Sequence, residues 1–265
     1  MATKNNSRSS IRIARIYGID VRIHWTFLAL VLFVVWAEWA SGLGQVGIWL
    51  LWIAAVFGSV LVHEFAHCVV ARRRGAVVED ILLLPIGGVS QMEKIPEAPG
   101  DELAIALVGP LTSLGLGLLA VAGGLAVGAR MWPPTLFAGP WLARLAWLNF
   151  ALGAFNLVPA LPMDGGRILR AALARHRDRR EATRLAGKIA RFLAGVMIVG
   201  GLLYDFWFAL IGVFVWLGAV AEEQAAQTKT RDHADDHGPS TTSPSPPPWP
   251  PPSLPPSERE APTRR

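Results

Sequence analysis

A single cysteine, Cys68, in 265 residues excludes an internal disulfide and any cysteine-based zinc cluster, so a metal bound here must be held by histidine and carboxylate. Charge is also scarce. Asp, Glu, Lys and Arg make up 17% of the residues against 52% hydrophobic ones, and the mean hydropathy is +0.38. That balance excludes an ordinary water-soluble domain and implies an integral membrane protein. No small-residue cleavage site of the Ala-x-Ala kind follows a short apolar core, so the first apolar span is expected to remain as an anchor. The net charge of +5 raises nucleic acid as a partner, but the basic residues gather in short loops beside apolar spans. This distribution orients a chain in a membrane and does not build a phosphate-binding face. No internal repeat is visible.

What is present is a set of six apolar segments, roughly 24–40, 46–70, 102–128, 141–159, 186–203 and 206–221. The expected fold is an all-α polytopic membrane protein with about six transmembrane helices. The first and the last two segments are short against the ~20 residues that span a bilayer. A four-span alternative folds 186–221 into one hairpin or re-entrant element. With the N-terminus inside, 23 of the 25 basic residues fall on one side and only Arg130 and Arg144 on the other. Both termini are therefore expected in the cytoplasm. Three regions follow: a basic cytoplasmic segment 1–23, a transmembrane domain 24–223, and a cytoplasmic tail 224–265. The tail turns Pro/Ser-rich from Gly238 and is expected to be extended and disordered.

Between the second and third spans, Val77 to Pro85 and Val89 to Glu93 are two β-prone runs around Gly87-Gly88. They predict a short membrane-associated β hairpin, whose exposed edge would bind an extended peptide by strand addition. An irregular surface loop is the alternative.

The second span carries the chemistry. His63-Glu64-Phe65-Ala66-His67 places two imidazoles four residues apart on one helix face, with Glu64 beside them as a base. From Val46 to Val70 the only other ionisable group is Cys68, which is turned about 100° from the metal face and read as packing. A carboxylate at mid-bilayer costs roughly 2.5–3.5 kcal/mol on insertion scales, which packing alone does not justify. Catalytic zinc takes three protein ligands, and no third ligand follows locally. Val70 and Arg73 stand where a third metzincin histidine would, and Gly87 and Gly88 where a downstream glutamate would. The strongest candidate is Asp164, in a segment where Pro159 and Pro162 should end the fourth helix and Gly165-Gly166 permit a tight reversal. His67 and Asp164 both lie at the inner ends of their spans. Gly109 and Ser113, four apart in the third span, are read as small residues for close helix packing. His24, beside Trp25, is read as an interfacial residue and not a ligand.

His63-Glu64-x-x-His67 in one span, followed by Asn156-x-x-Pro159-x-x-x-x-Asp164-Gly165, resembles the site-2 protease family of intramembrane zinc metalloproteases. Tyr17-Gly-Ile-Asp-Val-Arg-Ile-His24-Trp, Gly87-Gly88-Val89 and Gly109-Pro110-Leu-Thr-Ser113 add to the resemblance, which covers about residues 16–185. It implies one Zn2+ held by His63, His67 and Asp164, Glu64 as the base that activates the metal-bound water, and Asn156 as a substrate or oxyanion holder. The expected branch is a compact one, without PDZ or CBS domains. The implied activity is hydrolysis of a peptide bond within or next to a transmembrane segment, as in regulated intramembrane proteolysis. The implied partners are the membrane, a single-span transmembrane substrate and a regulatory membrane protein, with no nucleic acid. Two other readings remain open. One is a metal-binding transporter or channel, which has no need of Glu64 beside a ligand; the other is an inactive membrane adaptor, which has no need of an intact pentad.

Overall fold

The structure is a computed structural model that describes residues 9–85, 87–93, 98–136 and 138–236. The start of the expected 1–23 segment and the Pro/Ser-rich stretch from Gly238 lie outside the described residues. The chain divides into two units, Met1–Gln224 and Ala225–Arg265. Its elements are β1 (Ser10–Ile16), β2 (Ile19–His24), α1 (Trp25–Glu38), α2 (Leu43–Arg73), β3 (Val77–Leu84), β4 (Gly87–Glu93), α3 (Pro99–Ala126), α4 (Trp141–Asn156), α5 (Asp164–Leu173), α6 (Arg179–Tyr204) and α7 (Phe206–Asp236). The described part of the second unit is the end of α7, so the expectation of a disordered tail over 224–265 is corrected for residues 224–236, which continue the helix.

Among the described residues, four helices are long and apolar enough to cross a membrane: α2, α3, α6 and the Phe206–Gln224 part of α7. The expected count of about six is not reached by length. Segment 24–40 gives the 14-residue α1, prolonged only by a 3-10 turn over Trp39–Ser41, and segment 141–159 gives the 16-residue α4. The shortness of α4 has a local cause. Pro159 and Pro162 lack amide donors, and the helix stops at Asn156 before reaching them. The last two segments, expected to be short, are two separate long helices meeting at Asp205. Its carboxylate accepts from the Trp207 amide at 2.9 Å and so starts α7.

The expectation of a purely α fold with one hairpin is also corrected. The β3–β4 hairpin exists, with Leu84 paired to Gly87, but it is half of a four-stranded sheet in the order β1-β2-β3-β4. The other half comes from the basic N-terminal segment. Ile19-Asp-Val21-Arg-Ile23 alternates apolar and polar residues with the period of a strand, and β1 and β2 close around Tyr17 and Gly18, both at positive φ (49° and 77°). Two consecutive left-handed residues make the turn that matches strand twist, and glycine takes that conformation without steric cost. β2 then pairs with β3 in parallel, Asp20 with Asp80 through Ile23 with Leu83. Ile19, Val21, Ile81 and Leu83 pack with Cys68 against α2, and Val60 and Phe65 border the cluster. Each fully buried isoleucine there contributes roughly 1.5–3 kcal/mol where the sheet face would otherwise meet water. The sheet is thus seated on the helix that carries His63 and His67.

On the other side, α3 and α4 approach closely through glycines. A Cβ at Gly117 would lie 2.6 Å from the Phe150 ring. The α6 face Ala182, Ala186, Ala190 and Ala194, spaced by four, is fully buried. The last three pack with Val215 and Ala219 of α7 around Ala160, Leu161 and Met163. These are the residues that lead the chain into Asp164.

Candidate metal centre

His63 and His67 project from one face of α2, as residues four apart in a helix must. Asp164 is the first residue of α5, and the short peptide before it turns back toward α2. The close approach is made by glycine. A Cβ at Gly165 would fall 2.5 Å from the Leu157 carbonyl carbon, and one at Gly166 would fall 2.6 Å from that of Ala160. Neither glycine has a positive φ, so what the pair supplies is the absence of a Cβ where the chain doubles back on residues 157–161.

Three ligand atoms converge. Asp164 Oδ2 lies 3.2 Å from His63 Nε2 and 3.1 Å from His67 Nε2, and the two Nε2 atoms are 3.2 Å apart. All three residues are buried. The outer nitrogens are engaged elsewhere: His67 Nδ1–H donates to the Ile105 carbonyl at 2.6 Å, and His63 Nδ1 lies 2.9 Å from Ser113 Oγ. A carbonyl only accepts, so neutral His67 carries its proton on Nδ1 and turns the Nε2 lone pair toward a carboxylate oxygen. Two acceptors facing each other at that distance repel unless a proton or a metal cation lies between them. Tetrahedral ligation at about 2.0–2.1 Å separates ligand atoms by roughly 3.3 Å, close to the spacing here. The donor set, its spacing and the held Nδ1 atoms fit a divalent zinc-type ion.

Glu64 is not one of the converging ligands. Its Oε2 accepts a hydrogen bond from Ser90 Oγ on β4 at 3.0 Å. β4 presses on Glu64 through Gly88, where a Cβ would lie 2.6 Å from Glu64 Cγ and 3.3 Å from Val60. Gly109 performs the same service opposite the imidazoles: a Cβ there would lie 2.5 Å from His67 Cε1 and 2.7 Å from His63 Nε2. Close packing was the right reading of Gly109, but its neighbours are the ligand rings. Ser113, also read as packing, touches His63. Ser90 and the Ile105 carbonyl went unpredicted. A hydroxyl facing a functional span is a weak signal, and a backbone carbonyl gives none.

Asn156 makes no hydrogen bond to His63, His67 or Asp164. It is the last residue of α4, and its Nδ2 donates to Leu152 O at 2.9 Å. His24 stands apart as well; its Nδ1 accepts from the Thr26 amide at the start of α1. Cys68 is fully buried between α2 and the sheet. Arg144, the one basic residue buried in α4, lies between the Trp52 and Trp141 rings, 4.1 and 4.8 Å from their centroids, and donates to Leu136 O.

Apolar spans, a His-Glu-x-x-His helix and a carboxylate delivered by a second element define the architecture of a membrane-embedded metallopeptidase. The chain belongs to Peptidase family M50, whose sequence pattern matches residues 51–133 and 135–200. A zinc metalloprotease of Methanocaldococcus jannaschii is 38% identical over 222 residues, covering 83% of this chain and 62% of that protein. A Mycobacterium tuberculosis protein named Rip3 is 37% identical over 243 residues, covering 84% of this chain and 61% of that one. The chain thus spans under two thirds of the length of these relatives. The solved site-2 protease from Methanocaldococcus jannaschii superimposes with a TM-score of 0.59 at 36% identity, covering 81% of this chain and 95% of that one.

Proposed function

We propose that this protein is an intramembrane zinc endopeptidase that cuts a peptide bond within or beside the transmembrane segment of a single-span membrane protein. The observation that carries this reading is the convergence of His63 Nε2, His67 Nε2 and Asp164 Oδ2 within 3.1–3.2 Å, with a fourth polar group, Glu64, beside them and not among them. His63, His67 and Asp164 would hold zinc, which would supply a Lewis acid that lowers the pKa of water toward neutrality. Glu64 is the base. Its Oε2 is occupied by Ser90, which leaves Oε1 to take the proton of the attacking water and to return it to the leaving amine. Asn156 uses one amide N–H on Leu152 O and has a second to offer the developing oxyanion. The names of the relatives, one of them a zinc metalloprotease and one a site-2 protease, support the assignment.

The substrate must be extended at the cut, because amides in a helix are shielded by their own hydrogen bonds. β4 is the last strand of the sheet and lies directly on Glu64, so a substrate strand added to its outer edge would pass beside the base. The charge distribution supports a cytoplasmic approach: His63 and His67 precede Arg73, the basic end of α2, by about 15 and 9 Å at the helical rise. Both termini are assigned to the cytoplasm, and α1 and α4, though short, are assigned as the two further spans of a six-span domain. That catalytic domain is residues 24–223 with the β1–β2 hairpin seated on it, and the tail 224–265 lies beyond. Removal of the metal gives the test. A zinc chelator should abolish cleavage of a transmembrane test substrate by the purified protein, and added Zn2+ should restore it; a fully chelated protein that cleaves at the untreated rate would refute the proposal.

A further inference from the structure

α3 supplies none of the three ligands, yet one of its faces touches everything that holds them. Glu102, Ile105, Gly109 and Ser113 fall within an arc of about 80° at 100° per residue. Ser113 meets His63, the Ile105 carbonyl meets His67, and Gly109 leaves room for both rings. Glu102 continues the row by one turn. It is 2% exposed, and its Oε1 accepts from Arg170 Nε at 2.7 Å and lies 2.5 Å from the second guanidinium nitrogen. Arg170 belongs to α5, the ten-residue helix whose first residue is Asp164. The remaining Arg170 nitrogen donates to Glu222 of α7 at 2.9 Å, and the second Glu102 oxygen faces Arg179 of α6 at 3.6 Å.

Stability does not account for such a pair. Two charges taken out of water gain little over well-packed apolar residues of the same volume, and such replacements are often neutral or stabilising. The pair does restrict orientation: two nitrogens of the Arg170 guanidinium converge on the single Glu102 Oε1 while the third is held by Glu222, so the planar group is fixed from both sides. Gly165 and Gly166 bring α5 close to the preceding backbone, but close approach leaves a helix able to rotate and slide. A long side chain at the far end of the same helix, clamped to the row of α3 that also sets both imidazoles, removes that freedom.

We infer that α3 is the template of the metal centre and that Glu102 and Arg170 are positioning residues which set Asp164 relative to His63 and His67. The inference rests on the zinc reading above. Its test uses the full-length protein in detergent, with three readouts: zinc affinity by competition with a chromophoric chelator, the visible spectrum of the Co2+-substituted protein, and thermal unfolding. The variants are Glu102→Gln, Arg170→Met, and the double change Glu102→Met with Arg170→Met. Glu102→Gln keeps the volume and an acceptor and should stay folded while zinc Kd weakens about tenfold or more, as substitutions of groups that orient metal ligands do, with a changed Co2+ spectrum. The double variant removes both buried charges. It should unfold near the wild-type temperature without recovering zinc affinity, an outcome that a merely stabilising pair would not give. Wild-type zinc affinity and Co2+ spectrum in the folded double variant would overturn the inference, as would loss of the folded state in all three. Failure of the wild-type protein itself to bind zinc would instead overturn the zinc reading.

Discussion

Gly109 has no side chain at the one position where α3 faces both imidazoles, and the clearance there is too small for a methyl group. Gly109→Ala is therefore expected to displace the His67 ring and weaken zinc binding at least 100-fold, whereas Gly115→Ala, with open space around it, leaves zinc binding intact. Zinc content after dialysis distinguishes the two; equal retention would contradict the geometry. Asn156 makes the opposite case, a residue off the metal. Asn156→Ala should keep its zinc and lose about 10²–10³ in kcat, the usual cost of one oxyanion donor, and an unchanged kcat would remove Asn156 from the chemistry. At this scale the site was legible wherever a side chain's chemistry met a helical period. His63 and His67 are found by their spacing, and Asp164 by being a carboxylate held after two prolines at the inner end of a span. The Ile105 carbonyl was not legible, because every residue carries one. Ser90 was not legible because its partner Glu64 lies 26 residues away and the register of β4 decides which way it faces.

The sheet is the element that sequence undervalued. Ile19, Val21 and Ile23 alternate with Asp20 and Arg22, a period-two signal present in the basic segment but overshadowed there by the arginines. The parallel pairing of β2 with β3 joins residues about sixty apart, and no local pattern announces it. The consequence is mechanical. β1 and β2 steady β3, β3 aligns β4, and β4 bears on Glu64 through Gly88 and Ser90. Gly88→Val should drive the Glu64 side chain out of place and abolish cleavage while zinc stays bound, because Glu64 is not a ligand. Metal analysis beside a cleavage assay checks this; a Gly88→Val protein that cleaves normally would show that β4 does not position Glu64 for the proposed chemistry. The helices were legible as apolar runs, but their lengths were not. Asp205 and its cap divide the last apolar stretch into two long helices, while the prolines cut α4 short.

Among the described residues, His63, His67, Asp164, Glu102, Arg170 and the Asn149–Ser59 pair are buried polar groups that join separate elements. α2 carries His63, His67 and Glu64, α5 carries Asp164, α3 touches both imidazoles and is joined to α5 through Glu102 and Arg170, and α6 and α7 enclose the peptide that leads to Asp164. The charge of that frame is maintained inside the protein. Burial alone would lower the Arg170 pKa, but Glu102 and then Glu222 raise it above the ordinary arginine value, so the guanidinium stays charged. The proposed mechanism separates two roles that a simple histidine pair would merge, metal binding assigned to His63, His67 and Asp164 and proton transfer assigned to Glu64. The most direct test of that separation measures zinc content and cleavage of a transmembrane substrate side by side for the purified wild type, Glu64→Gln and Asp164→Ala. Glu64→Gln is predicted to hold zinc as the wild type does and to cleave at least 100-fold more slowly, and Asp164→Ala to lose both zinc and cleavage. A Glu64→Gln protein that cleaves at the wild-type rate would contradict the account.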